Sequence, residues 1–130
     1  MFLSLNIKKT KSGSKYFASR EFDSPDLAGS GKGMQKSTLK LLEKTRELAN
    51  IHFLITSGFR TVAHNKLVGG VEGSSHTKGY AVDIWCKNSS DRFKIIQAAL
   101  QCGFNRIGIS GLFIHLDNDT KKVKNVIWTY

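Results

Sequence analysis

The feature that most limits how this chain can fold is a pair of short segments in which charged and apolar residues alternate. Residues 81–86 read AVDIWC and residues 113–117 read FIHLD. On an extended strand, successive side chains point to opposite faces. The first segment therefore carries Ala81, Asp83 and Trp85 on one face and Val82, Ile84 and Cys86 on the other. The second carries Phe113, His115 and Asp117 on one face and Ile114 and Leu116 on the other. Each strand has one wholly apolar face and one face bearing ionisable groups. If the apolar faces pack on helices, Asp83, His115 and Asp117 look into one cleft. A buried carboxylate needs a compensating cation or a hydrogen-bond network.

The remaining elements show how helices could cover those apolar faces. Gln35 to Asn50 is helical in pattern, with Leu39, Leu42 and Ala49 on one face, widened by Leu41 and Leu48. His52 to Thr56 reads as a short buried strand, turned out at Ser57-Gly58. Thr61 to Val68 forms a short helix closed by Gly69-Gly70. A longer helix, capped by Ser89 or Ser90, runs to Gln101 with Phe93, Ile96 and Leu100 as its buried stripe and Gly103 as its stop. Three short strands near 106–109, 113–117 and 126–130 finish the chain. Helices early and strands late indicate an α+β fold, a small mainly antiparallel sheet with helices on one face. Residues 1–130 are expected to form a single domain, with residues 1–20 an edge strand or a loosely held arm.

Twenty Lys and Arg against ten Asp and Glu give a net charge of +10. Such a charge favours an anionic partner, such as nucleic acid, an anionic membrane or anionic cell-wall polymers. The lysines are dispersed, with no dense basic arm and no interleaved aromatics, so no specific nucleic-acid recognition is expected. No apolar run approaches the ~20 residues that span a bilayer, so no membrane insertion is expected. The N-terminal MFLSLN lacks the pattern of a secretory signal, which leads to the expectation of synthesis in the cytoplasm. Cys86 and Cys102 are too few for a disulfide framework and read as reduced thiols.

Immediately before the first strand lies Ser74-Ser75-His76-Thr77-Lys78-Gly79-Tyr80. Gly79 allows a sharp turn that can bring His76 beside Asp83. His76, Asp83 and His115 would then supply two imidazoles and a carboxylate. Three protein ligands with a position left for water is the pattern of a catalytic zinc site. The same residues can also form a buried hydrogen-bonded group without metal, and spacing alone leaves both readings open.

Three segments, SGFRT (57–61), HNKLVGGVEGSSHTKGYAVDI (64–84) and FIHLD (113–117), resemble the zinc D-Ala-D-Ala carboxypeptidase family. That family includes cell-wall peptidases, vancomycin-resistance D,D-dipeptidases and phage endolysins. The resemblance extends from about Glu21 to Asp117. Its core, Ser-x-His-x-x-Gly-x-Ala-x-Asp, is met by Ser74, His76, Gly79, Ala81 and Asp83 without a gap. The resemblance implies the fold shared with Hedgehog signalling domains, a Zn2+ ion, and hydrolysis of peptide bonds next to D-amino acids.

Carried over by position, His76, Asp83 and His115 correspond to the zinc ligands. Arg60 corresponds to an arginine that contacts substrate or stabilises a developing oxyanion, and Ser74 lines the substrate site or orients a ligand. Many relatives carry an acidic general base three residues before the last histidine, where this chain has Leu112. Asp117 is the nearest substitute, either as the base or as a partner that fixes His115, with Glu72 in reserve. His64 is expected to anchor the short helix and His52 to be a packed or surface residue. Trp85 could wall the cleft or fill the core, and Trp128 and Tyr130 could flank the site.

The expected function is therefore a monomeric zinc metallopeptidase acting on peptidoglycan stem or cross-link peptides, as carboxypeptidase or endopeptidase. It would reach the wall after lysis or delivery, as a phage-type lytic enzyme does. The first alternative is a non-catalytic, zinc-containing cell-wall or virion binding module on the same fold. A nucleic-acid binder, supported by charge alone, is the second.

Overall fold

The alternating segments pair with each other. In the computed structural model, which describes residues 14–130, strands β2 (Ala81–Trp85) and β4 (Phe113–Asp117) run antiparallel at the centre of a five-stranded sheet. Strand β1 (Ile55–Ser57) borders β2, and β3 (Arg106–Ile109) and β5 (Val126–Thr129) follow on the far side of β4. The order is β1-β2-β4-β3-β5, antiparallel throughout except for the parallel pair β3–β5. The fold is α+β, as the element order implied.

Among the described residues three α-helices accompany the sheet: α1 (Lys36–Ala49), α2 (Val62–Leu67) and α3 (Ser89–Cys102). Each begins or ends for a local reason. The Thr61 hydroxyl caps α2 by accepting from the His64 amide, and the Asn88 side chain caps α3 by accepting from Asp91. Asn50 and Gly103 close α1 and α3 in left-handed conformations. The cap of α3 is thus Asn88, one residue before the serines expected there.

Helices α1 and α3 pack together and against the apolar face of the sheet. Val82, Ile84, Ile107, Ile114 and Leu116 are all fully buried there, with Leu42, Phe53 and Phe104 beside them. Three expectations about this core are corrected. On α3 the buried residues are Ile95, Ala98 and Ala99, while Phe93 and Leu100 are exposed. Ile96, the middle residue of the expected stripe, is partly buried against the core, so the buried face is turned toward Ile95 and the small alanines, which allow α3 to pack closely on α1. On α1, Leu48 is exposed, and Thr38 and Thr45 fill the stripe instead. Their hydroxyls are satisfied, Thr45 donating to the Leu41 carbonyl and Thr38 to Asn118 Oδ1. Finally, β1 is an edge strand of three residues rather than a buried one of five, with Leu54 exposed.

Of the arm expected over residues 1–20, residues 1–13 lie outside the described residues. Residues 14–20 contain no strand. Phe17 is buried against Phe22, and the Tyr16 amide donates to Glu43 on α1. No described helix is long and apolar enough to cross a membrane. Cys86 and Cys102 are free, Cys86 buried and Cys102 partly so.

Candidate metal centre

The register of the sheet assembles the site. Asp83 lies directly opposite His115, His115 opposite Gly108, and Gly108 beside Trp128, so one transverse row of four strands carries carboxylate, imidazole, glycine and indole. Gly108 is needed at its place. A Cβ there would lie 2.7 Å from Trp128 Nε1 and 2.9 Å from a Tyr130 ring carbon. Without one, the Trp128 ring folds across β3 to within 5.3 Å of the His115 ring.

His76 arrives from outside the sheet, on a 3-10 turn (Ser75–Lys78) capped by the Ser74 hydroxyl, which accepts from the His76 amide. Gly79 ends the turn at φ +78°, where a Cβ would lie 2.0 Å from the Gly33 carbonyl oxygen. The chain therefore passes directly from the turn into β2, and His76 reaches Asp83 as expected. The two imidazoles meet edge to face, with ring centroids 5.1 Å apart.

The hydrogen bonds fix which ring nitrogens face inward. His76 Nδ1 lies 2.8 Å from the Gly58 carbonyl oxygen, which can only accept, so Nδ1 carries the proton and Nε2 the lone pair. That Nε2 is 3.2 Å from Asp83 Oδ1. His115 Nε2 is 2.6 Å from Asp117 Oδ2 and its Nδ1 is 3.0 Å from Asp83 Oδ1. With Asp117 ionised, the proton sits on Nε2 and a second lone pair faces the same carboxylate oxygen. Three electron-rich atoms then converge within 4.8 Å, all on buried residues. They need positive charge among them, either extra protons or a metal ion, and a hard or borderline divalent cation suits two nitrogens and one oxygen.

The electrostatics point the same way. Burial pushes the Asp83 carboxyl up, but the flanking His115 and His76 outweigh it and hold it well below the usual carboxylate range. Burial pulls His115 down, but Asp117 and then Asp83 overcome this and raise it. Both directions reflect carboxylates and imidazoles that favour one another's charged forms.

A cleft of about 620 Å³ opens over the trio, lined among others by Arg60, Arg106, Lys122, Phe113, Trp128 and Tyr130. Arg60 is held by Ser57 Oγ at 3.0 Å and Asn65 Oδ1 at 3.2 Å, and its Nη2 lies 3.4 Å from Asp83 Oδ2. Ser74 lines the cleft and caps the turn that carries His76. Asp117 is fully buried. Its Oδ1 accepts from Arg106 Nε at 2.8 Å and from the Asp119 amide, while Oδ2 faces His115. Glu72 is exposed and outside the residues that line the cleft, and Leu112 is exposed. Of the two other histidines, His52 is exposed and His64 half-buried on α2. Trp85 is exposed and outside the cleft lining, so it neither walls the cleft nor fills the core.

Four contributors were not visible as site residues in the sequence. The Gly58 carbonyl orients His76, Asn65 orients Arg60, and Arg106 holds Asp117. The fourth is Asp119, buried between the turn and the end of β4. It accepts from Ser75 Oγ at 2.7 Å and pairs with Lys78 Nζ at 2.8 Å. Burial pushes its carboxyl up, but Lys78, the Lys121 amide and Ser75 bring it down to about 2. Only its spacing, two residues beyond Asp117, could have drawn attention to it.

No curated protein matches the chain at a significant level. A model of the peptidase M15 family, however, matches residues 7–117, a span that contains the whole His76–Asp83–His115 cluster and the arginine beside it. This chain belongs to the peptidase M15 family.

Proposed function

We propose that the protein is a zinc-dependent peptidase that hydrolyses peptidoglycan stem or cross-link peptides at a bond next to a D-amino acid. The observation that carries this reading is the convergence of two imidazole lone pairs and one carboxylate oxygen within 4.8 Å beneath an open cleft. His76 Nε2, His115 Nδ1 and Asp83 Oδ1 would hold the ion, a three-ligand set that leaves room for water and substrate. When bound, zinc supplies Lewis-acid activation of a water and of the scissile carbonyl.

The chain's own groups supply the rest. Arg60 donates toward the carbonyl oxygen as charge develops on it, from a guanidinium already fixed by Ser57 and Asn65. Asp117 keeps the His115 proton on Nε2 and so keeps the opposite nitrogen free. Among the described residues, Asp117 and Asp83 are the carboxylate side chains that line the cleft, so Asp117 is also the group available to accept a proton from attacking water. Ser74 acts through the turn it caps. The net charge of +10 suits an enzyme working among anionic wall polymers. In this reading it acts there after release by lysis or delivery in a particle.

A second reading has two observations in its favour. Both Asp117 oxygens are engaged, and exposed Leu112 stands where many relatives carry an acidic residue. A binding module would hold zinc and wall peptides without turnover. One experiment separates the readings: mass spectrometry of muropeptides digested by the zinc-loaded protein, with and without chelator. The peptidase reading expects new fragments that disappear on chelation and in His76→Ala. Digestion undiminished by metal removal would overturn it, and zinc binding without any fragment would favour the module.

A further inference from the structure

We propose that Lys122, next to the Val123 carbonyl that Arg106 anchors, forms a subsite for a carboxylate of the bound peptide. It lies across the sheet from Arg60. The strand order sets the geometry. Arg60 follows edge strand β1 and bonds to Asp83 on β2, whereas Arg106 is on β3 and Lys122 lies in the connection from β4 to β5. Both Arg106 and Lys122 line the cleft. This inference rests on the peptidase reading only for the identity of the ligand as a peptide.

Three observations single out Lys122. It is half-buried in the cleft, whereas Lys121 and Lys124 on the same connection are exposed. Burial lowers its pKa, so the ammonium is partly desolvated where it stands. Among the described residues, no carboxylate lies within ion-pair distance of its Nζ. The two nearby carboxylates that act on its charge are committed elsewhere. Asp119 serves Lys78, Ser75 and the Lys121 amide, and Asp117 serves Arg106, His115 and the Asp119 amide. A cation turned into a cleft without an ion pair is uncompensated until an anion joins it.

The surroundings make this a built position. Arg106 stacks over Trp128 at 5.1 Å, and its Nη1 donates to the Val123 carbonyl at 2.6 Å, anchoring the residue next to Lys122. Around the cleft three cations, Arg60, Arg106 and Lys122, stand against the two carboxylates Asp83 and Asp117, and a divalent ion adds to that excess. The aromatic rings of Phe113, Trp128 and Tyr130 complete the wall, so the site suits an extended peptide with an apolar side and one anionic group. That group is either the chain-terminal carboxylate or a side-chain carboxylate of a stem residue.

The test is a binding cycle on the zinc-loaded protein, read by calorimetry and, in parallel, by turnover. Three synthetic stem peptides ending in two D-alanines serve as probes: one with all carboxylates free, one amidated at its terminus, and one amidated at its side-chain carboxylate. In the wild type one of the two amidations should weaken binding about 10- to 100-fold, the scale of a charge-assisted hydrogen bond. Which one does so identifies the source of the carboxylate. In Lys122→Met that penalty should shrink to about two-fold, and Lys122→Arg should keep most of it. An amidation penalty that is equal in wild type and Lys122→Met overturns the proposal, as does the absence of any penalty or of any binding. If the pattern appears without turnover, the peptidase reading fails while the subsite stands. If turnover appears and Lys122→Met leaves the penalty intact, the subsite fails alone.

Discussion

Strands β2 and β4 build two unlike regions from the same ten residues. On the face toward α1 and α3, Val82, Ile84, Ile114 and Leu116 have no exposure at all and belong to one apolar cluster. On the other face, Asp83, His115 and Asp117 are nearly as buried, yet each is held by specific partners. Burying the first set stabilises the fold by roughly 25 cal/mol per Å² of apolar area, with no demand on orientation. Burying the second set is unfavourable unless every lone pair and proton finds a mate. The polar face satisfies that condition by borrowing groups from elsewhere: Arg60 after β1, the Gly58 carbonyl, Arg106 on β3, and the amide of Asp119. The apolar face makes the fold stable, and the polar face gathers the donor atoms that could hold a cation.

If the two faces are separable in this way, damage to one should leave the other's property readable. The largest effect is expected from Ile114→Ala, which opens a cavity in the fully buried layer. It should lower unfolding stability by about 2 to 5 kcal/mol in denaturant titrations, while the folded fraction still binds one equivalent of zinc. Loss of zinc binding in proportion to the lost stability would break the distinction.

Asp117→Asn probes the polar face with little change of shape. If Asp117 orients His115, the variant should bind zinc about 10- to 100-fold more weakly, measured by competition with a chromophoric chelator. Full zinc affinity with turnover abolished would instead sharpen its role to that of general base.

The smallest effect comes from acid. Asp119 has a folded pKa of about 2, below the ordinary aspartate value near 4. Its contribution is fully present above that ordinary value and is lost as pH falls through about 2. For this buried carboxylate the linkage amounts to roughly 2 kcal/mol. Denaturant titrations of metal-free wild type and Asp119→Asn should converge between about pH 4 and pH 2. Curves that stay parallel over that range would mean that the tie from Asp119 to Ser75 and Lys78 adds nothing to the fold.

Much of the site was legible because its information is local. Alternation in AVDIWC and FIHLD assigned Asp83, His115 and Asp117 to one face, and Gly79 allowed the turn that delivers His76. Those assignments depend on backbone geometry within a few residues. The α+β class was legible for the same reason, since it follows from the order of elements. The buried side of α3 was legible only at Ile96, which packs on the core, because Phe93 and Leu100 complete as good a stripe as Ile95, Ala98 and Ala99 do. Only the closeness of α1 decides in favour of the small residues. Leu48 lost its place on α1 to Thr38 and Thr45: the Thr45 hydroxyl is satisfied one turn back by the Leu41 carbonyl, and that of Thr38 by Asn118, 80 residues away, which no local pattern reveals.

The sequence by itself therefore determined the kinds of groups present, their faces, and the set His76, Asp83 and His115. Tertiary structure decided what those groups face and which nitrogens they offer. Gly58 lies 18 residues before His76, and Arg106 lies 11 before Asp117. Tautomer, charge and free valence are properties of such pairs, and a pair exists only once the sheet has brought distant segments within hydrogen-bond distance.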